Sequence, residues 1–435
     1  MSKKIAITTI GTRGDVQPYL ALALELRKRG YDVVVGAPTD FAEEISSLDI
    51  EFCDLGGNIR AFLKQPNFEH ASENFLINMP ALLQQGQEIV EQAARNSWKM
   101  VQGADAIIMN INTSFAIDFG EALDIPAIMS GLQPLNSTGE FPICYYDIPD
   151  MGRALNWLSH TATIVQQAYY DFPRDKLRKE LMGLKPRKNT GFFKDNDGKN
   201  LVTLYAYSSL VSPRPRDWPK TAIVTGYWPL KDQSGWEPTK EFRQFLSQGE
   251  APIYVGFGSM PFGAERNTQL LKEAVSLSRK RVVVASGWGG IKHDDLPDSV
   301  FALTKAPHDR LFKYMGAVVH HGGAGTTAAG LLAGKPTFVV PQAIDQPYWG
   351  RRVHELGCGP EPVLLKKLTP QILAHAFNEI TSFSPYKIAA HNIAGKLAQE
   401  DGPGKAILHI ERVLKNYIPH SQRKHQNGFL TGFAS

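Results

Sequence analysis

At 435 residues the chain is too long for one ordinary hydrophobic core, so two domains of about 200 residues are expected. Composition is that of a soluble globular protein, 43% hydrophobic and 21% charged, and no apolar run approaches the ~20 residues that span a bilayer. The 47 basic and 43 acidic side chains leave a net +4, too little to suggest nucleic acid or an anionic membrane as partner, and three scattered cysteines (Cys53, Cys144, Cys358) fit neither a disulfide framework nor a zinc cluster.

The first residues lead straight into a strand-like run without a signal-peptide pattern, which fits a cytoplasmic location. Lys4–Ile10 predicts a strand ending at Gly11-Thr-Arg-Gly14-Asp15, and Val16–Arg29 carries apolar residues at helical spacing up to Gly30. Tyr31–Ala37, Ala106–Asn110 and Ala127–Ser130 read as further strands of this half. Residues 58–100 and 140–185, rich in Phe, Leu, Met, Trp and Tyr, break the alternation and predict helical insertions able to line an apolar cleft. Ordinary helix packing explains any single aromatic there equally well. Pro213, Pro215 and Pro219 stiffen Ser208–Ala222, which places the domain boundary there, between a first domain 1–210 and a second 222–400. Pro252–Phe257 then restarts the plan, followed by Gly258-Ser259-Met260 and a helix over about Asn267–Arg279. Arg281–Ser286, Val300–Leu303, Ala317–His320 and Thr337–Pro341 predict the remaining strands. Residues 401–418 predict a helix packing back toward the first domain, and 419–435 a frayed tail. Such alternation implies an α/β protein of parallel sheets with ligands at the carboxyl ends of the strands.

The most informative stretch is 317–335, where an apolar run ends in His320-His321, followed by Gly322, Gly323 and Gly325 and then by Thr326-Thr327 opening a helix. A strand, a tight loop and a helix N-terminus together aim unpaired amides and a helix dipole at one spot, which suits a phosphate. The pattern is neither G-x-G-x-x-G nor a P-loop. His320 is expected to face the other side of the sheet. Asp345-Gln346, just past another strand, pairs a carboxylate with an amide, a combination suited to vicinal sugar hydroxyls; a turn capped by Asp345 is the plainer alternative. No Asp-x-Asp pair is read as a metal site.

The chain resembles the sterol 3-β-glucosyltransferase branch of the UDP-glycosyltransferase superfamily, and more loosely the bacterial glycosyltransferases that decorate antibiotics. The resemblance rests on Gly11-Thr-Arg-Gly-Asp-Val-Gln-Pro18, Glu140-Phe-Pro142, Ser212-Pro-Arg-Pro-Arg-Asp-Trp218, Gly226-Tyr-Trp228, Gly256-Phe-Gly-Ser-Met260, Gly287-Trp-Gly-Gly290, Ala306-Pro-His-Asp309, His320–Thr327 and Pro341–Trp349, in order from about residue 4 to 415. It implies the GT-B type, two Rossmann-like doubly wound domains facing across a cleft. It also implies an inverting, metal-independent transfer of a hexose, glucose from UDP-glucose, to a hydroxyl of a lipophilic acceptor, with the UDP-sugar as co-substrate and no further cofactor.

On that resemblance His321 contacts a phosphoryl oxygen, with Gly323, Gly325, Thr326, Thr327 and Ser259 supplying further diphosphate contacts. Asp345 and Gln346 hold the sugar. The tryptophan of the plant Trp-Ala-Pro-Gln motif is absent from Lys305-Ala-Pro-His308, so Trp288 reads as the aromatic platform for uracil, with a packing role the equal alternative, and Ala306 and His308 as further uracil contacts. Asp15 stands where plant members carry a histidine base. By position alone Asp15 reads as the N-cap of the following helix, and a carboxylate at a helix N-terminus is a weak base. His70 and His160 are secondary base candidates; Arg13 reads as a surface salt-bridge partner, with orienting Asp15 or reaching the donor phosphates as the alternatives. Phe141, Tyr145, Tyr146 and Trp157 suggest a flat apolar acceptor such as a sterol, terpenoid or polyphenol, with any membrane contact peripheral. The competing readings are a glycosyltransferase for a polyketide acceptor and a non-catalytic nucleotide-sugar binder.

Overall fold

A computed structural model describes residues 2–58, 61, 75–145, 147–163, 174–187, 191–258, 263–285, 296–304, 306–419 and 422. Seven parallel strands form the first sheet: β1 (Lys4–Thr8), β2 (Asp32–Ala37), β3 (Glu51–Asp54), β4 (Ala106–Met109), β5 (Ala127–Gly131), β6 (Thr203–Tyr205) and β7 (Ala222–Val224), in the order β3-β2-β1-β4-β5-β6-β7. Five more, β8 (Ile253–Gly256), β9 (Val282–Ala285), β10 (Val300–Leu303), β11 (Ala317–His320) and β12 (Thr337–Val339), form the second in the order β10-β9-β8-β11-β12. Ile5, Ala6 and Ile7 in β1, Val33–Val35 in β2, and Val282–Val284 in β9 are buried on both faces. Only a parallel sheet covered by helices on both sides asks for such unbroken apolar runs. Both sheets are doubly wound. Strand order reverses between β1 and β4 in the first and between β8 and β11 in the second, and loops at such switch points are where α/β folds hold ligands.

β3, β6 and β7 are strands that the sequence reading did not single out. β7 carries a consequence. The proline-rich stretch expected to join the domains lies inside the first one, between its last two strands, and the crossing to the second sheet follows Val224. The helix after β1, α1 (Arg13–Lys28), starts three residues earlier than the periodicity suggested, because Thr12 caps it.

Four further helices matter for the site and its frame: α2 (Phe75–Met100), α3 (Ala324–Leu332) after β11, α4 (Gln346–Glu355) after β12, and α5 (Gly402–Asn416). α1 packs against α3, which brings the openings of the two domains together. An apolar cluster spans the junction, with Tyr205, Tyr207 and Trp218 from the first domain against Leu331, Tyr348 and Trp349 from the second. Polar links reinforce it: the Ser212 and Tyr348 hydroxyls lie 2.6 Å apart, and Arg352 Nε donates to the Val211 carbonyl at 2.7 Å. α5 returns to the first domain, where Ala406, Ile407 and Ile410 join the core beneath α1. Among the described residues no helix is long and apolar enough to cross a membrane.

Candidate active site

The loop after β1 is shaped by its own side chains. The Asp15 carboxylate turns back over Gly11 and accepts from the Thr12 amide at 2.7 Å and the Thr12 hydroxyl at 3.1 Å. Gly11 has φ +145°, and a Cβ there would overlap the Asp15 carboxylate, so only glycine admits this turn. From the end of β4, Asn110 Nδ2 donates to the Thr9 hydroxyl (3.0 Å) and the Ile10 carbonyl (2.9 Å), and Asn112 Nδ2 also donates to the Ile10 carbonyl. Asp15 is therefore not the N-cap. It occupies the third helical position of α1, with Thr12 as the cap. Its acidity also differs from that of a solvated helix-end carboxylate. Burial pushes its pKa up, and the two Thr12 bonds only partly oppose this, so it is a stronger base than helix position alone suggests.

In the second domain α3 opens at Gly323 with no side chain capping it. Thr327 N and its hydroxyl both return to the Gly323 carbonyl, at 2.9 and 3.0 Å. Thr327 is thus fully engaged within the helix and buried, which leaves the amides of Ala324, Gly325 and Thr326 as the open donors of the first turn. Sequence reading missed Ala324, which has no side-chain signal to offer. The His321 ring lies against Gly258 and Gly323, where added Cβ atoms would come 2.8 Å from Cε1 and 2.6 Å from Nε2. Burial depresses its pKa to about 4, with the Gly256 carbonyl opposing, so it meets a ligand as a neutral imidazole. His320 is fully buried and accepts from the Gly322 amide at 2.8 Å through Nδ1.

Asp345 sits at the head of α4 and accepts from Trp349 Nε1 at 2.8 Å, without capping the helix. Burial, and secondarily the negative charge of Asp15, push its pKa up to about 6, with the Trp349 bond opposing. Two carboxylates from different domains therefore share one electrostatic neighbourhood. Gln346 is buried, and its Oε1 accepts from the Gln342 and Ala343 amides at 2.7 and 3.2 Å. Its oxygen shapes the loop, so toward a ligand it can offer only its NH2. Between these residues Ile344 stands exposed at φ +57°, an uncommon setting for a β-branched side chain.

His308 opens a short helix next to Ala306. Its ring stacks on Phe312 (4.6 Å, 15°), and its Nε2 lies 3.2 Å from the Tyr254 hydroxyl. Phe141 and Tyr145 pack into or against the interdomain cluster, while Trp157 is exposed on the helix Arg153–Ser159. His160, the C-cap of that helix, is buried with Nε2 3.2 Å from the Phe141 carbonyl. Ser259, Trp288, Tyr146 and His70 lie outside the described residues. One Asp-x-Asp does occur, Asp195-Asn196-Asp197, and the Asp195 carboxylate accepts from the Asp197 and Lys199 amides within its own turn.

The chain matches the model of the glycosyltransferase family 28 N-terminal domain over residues 5–132 and that of the erythromycin biosynthesis protein CIII-like C-terminal domain over 268–412. It is 31% identical over 440 residues to a sterol 3-beta-glucosyltransferase of Arabidopsis thaliana, covering 96% of this chain and 69% of that one. The chain belongs to the sterol 3-beta-glucosyltransferase family. A Saccharomyces cerevisiae member is 32% identical over 95% of this chain, which spans only 35% of that longer relative. The crystal structure of the glycosyltransferase of kitacinnamycin superposes with TM-score 0.70 at 17% identity, covering 95% of this chain and all of the other. That likeness concerns the fold, and it is the GT-B arrangement of two facing Rossmann-like domains.

Proposed function

We propose that the chain transfers glucose from UDP-glucose to the hydroxyl of a sterol-like acceptor with inversion, using Asp15 as general base and no metal ion. The observation that carries this reading is the packing of α1, which holds Asp15 in its first turn, against α3, whose uncapped end follows His321. Asp15 takes the acceptor proton as the acceptor oxygen bonds to the anomeric carbon, and the bond from that carbon to UDP breaks on the opposite face. The raised pKa of Asp15 favours that step, because a carboxylate already content as an anion would take the proton reluctantly. Asp345 holds sugar hydroxyls. The open amides of α3 and the neutral His321 receive the charge that grows on departing UDP, a gain realised chiefly in the transition state. Identity to relatives named as sterol glucosyltransferases supports the acceptor.

The test is UDP release from UDP-glucose with and without a sterol, in the wild type and in Asp15→Asn. The expected result is sterol-dependent release that falls about 100-fold or more in the variant, with UDP affinity retained. Near-normal turnover in Asp15→Asn would remove this residue from the mechanism, and no release with any lipophilic alcohol would leave a binding protein.

A further inference from the structure

Asp15 is held by its main chain as well as by its carboxylate. Thr9, one residue past the end of β1, is fully buried, and its hydroxyl donates to the Asp15 carbonyl at 2.8 Å across the glycine loop. A hydroxyl has one proton to give, so its neighbours decide where that proton goes. Asn110, one residue past the end of β4, decides it here, because its Nδ2 donates to the Thr9 oxygen at 3.0 Å. With an N–H on its acceptor side, the Thr9 hydroxyl sends its proton to Asp15. The Asn110 amide is itself locked. Its Nδ2 also donates to the Ile10 carbonyl at 2.9 Å, and its Oδ1 accepts from the Thr113 amide at 3.1 Å. A flipped amide would set oxygen against the Ile10 carbonyl oxygen.

The two ends of Asp15 are thus fixed separately. Both Thr12 bonds fall on one carboxylate oxygen, Oδ2. Oδ1 takes no hydrogen bond from any described residue, which leaves it as the oxygen able to receive a proton. With Oδ2 pinned, the place of Oδ1 follows the place of the Asp15 main chain. The helix ladder alone does not secure that. Pro18, inside α1, has no N–H to give the Gly14 carbonyl, so the ladder lacks one bond beside Asp15. The Thr9 hydroxyl reaches in from the sheet at that same turn.

We propose that Thr9 is a positioning residue for the transfer: its hydroxyl, aimed by Asn110, fixes the Asp15 main chain and so sets where Oδ1 meets the acceptor hydroxyl. The inference rests on the reading of Asp15 as the general base. Proton transfer needs the two oxygens within about 3 Å, and a misplacement of about 1 Å can cost up to about 100-fold in rate. Thr9 is sealed in the first sheet and touches no substrate, so its influence is confined to the step in which Asp15 takes the proton.

Sterol-dependent UDP release, measured on the wild type, Thr9→Val, Thr9→Ser, Asp15→Asn and the Thr9→Val/Asp15→Asn double variant, tests this, with UDP titration as a check that each is folded. Thr9→Val keeps the shape and loses the hydroxyl. Its kcat should fall about tenfold, while KM for UDP-glucose and the affinity for UDP stay at the wild-type values. Thr9→Ser, which keeps the hydroxyl, should recover most of kcat. Added to Asp15→Asn, Thr9→Val should cost nothing further, because no base is left to position. Unchanged kcat in Thr9→Val would overturn the inference, as would a Thr9→Ser variant equally slow. A loss that persists on top of Asp15→Asn would also overturn it, since that marks a purely structural role. If Thr9→Val does not melt cooperatively, Thr9→Ala removes the hydroxyl without that side chain's bulk and gives the same readings. Near-normal turnover in Asp15→Asn alone would instead remove the base reading, and this inference with it.

Discussion

The two glycine loops of this protein share one plan and differ at one point. Each follows a strand at the switch point of its sheet and each opens a helix that faces the other domain. The loop after β1 caps itself, with Thr12 and Asp15 closing the first turn of α1. The loop after β11 caps nothing and leaves the amides of Ala324, Gly325 and Thr326 open. A helix end that carries its own anion has no need of a foreign one, and that anion becomes available as a base. A helix end without one is a receptor for a phosphate. On the proposed reading the same backbone geometry yields a proton acceptor on one wall and an anion site on the other, and a single carboxylate decides which.

Matched alanine substitutions should separate the two roles most sharply. A Cβ at Gly11 would displace the Asp15 carboxylate, whereas one at Gly323 would press on His321 Nε2 from 2.6 Å. Gly11→Ala should cut kcat by about 100-fold with UDP affinity little changed, and Gly323→Ala should weaken UDP binding about tenfold while leaving the base intact. Steady-state kinetics with UDP competition reads both. If the two variants show the same kinetic signature, the contrast between the loops fails.

Asp345 gives a smaller effect with a definite sign. Its folded-state pKa of about 6 exceeds the ordinary carboxylate value, so folding favours its protonated form. The associated stability is present in full below the unfolded value of 3.8 and is lost as pH rises from there through about 6. Asp345→Asn, which keeps an acceptor for Trp349 Nε1, should therefore melt a few degrees above the wild type at pH 8, with the difference shrinking steadily as pH falls from about 6 toward the unfolded value of 3.8, while losing affinity for the sugar. A melting difference that does not vary with pH would show that the Asp345 carboxylate is not strained by its site. Smallest is Thr12→Val. Removing the hydroxyl bond at 3.1 Å takes away one of the influences that lower the Asp15 pKa, so the acid limb of kcat/KM should move to higher pH by a fraction of a unit. An acid limb that stays in place or moves down would break the link between cap and base.

Much of this was readable from residues alone. Val300–Leu303 and Ala317–His320 were placed to the residue because buried parallel strands are uniformly apolar and end at glycine or a polar loop. The helix start at Arg13 was missed because Gly14 and Pro18 hide the period, although the spacing Thr12-x-x-Asp15 was itself a capping signal. Asp15 and Asp345 were found as separate strand-end residues, but their mutual influence depends on how two sheets meet, and no local pattern carries that. Thr327 looked like a hydroxyl donor to ligand. Only the backbone shows that its hydroxyl is spent on the Gly323 carbonyl. Backbone amides such as that of Ala324 are invisible to any reading based on side-chain type.

The return of α5 to the first domain has a mechanical consequence. The chain leaves the first sheet after Val224 and comes back at Gly402, and the two crossings touch: a Cβ on Gly402 would overlap the Tyr227 carbonyl, and Gly226 abuts Glu400, which Ser208 holds at 2.8 Å. Two tethers side by side fix the second domain to the first at two points of the chain, and so restrain how Asp15 and Asp345 oppose one another. A chain cut short before α5 would lose that alignment together with the Ile407 and Ile410 packing under α1.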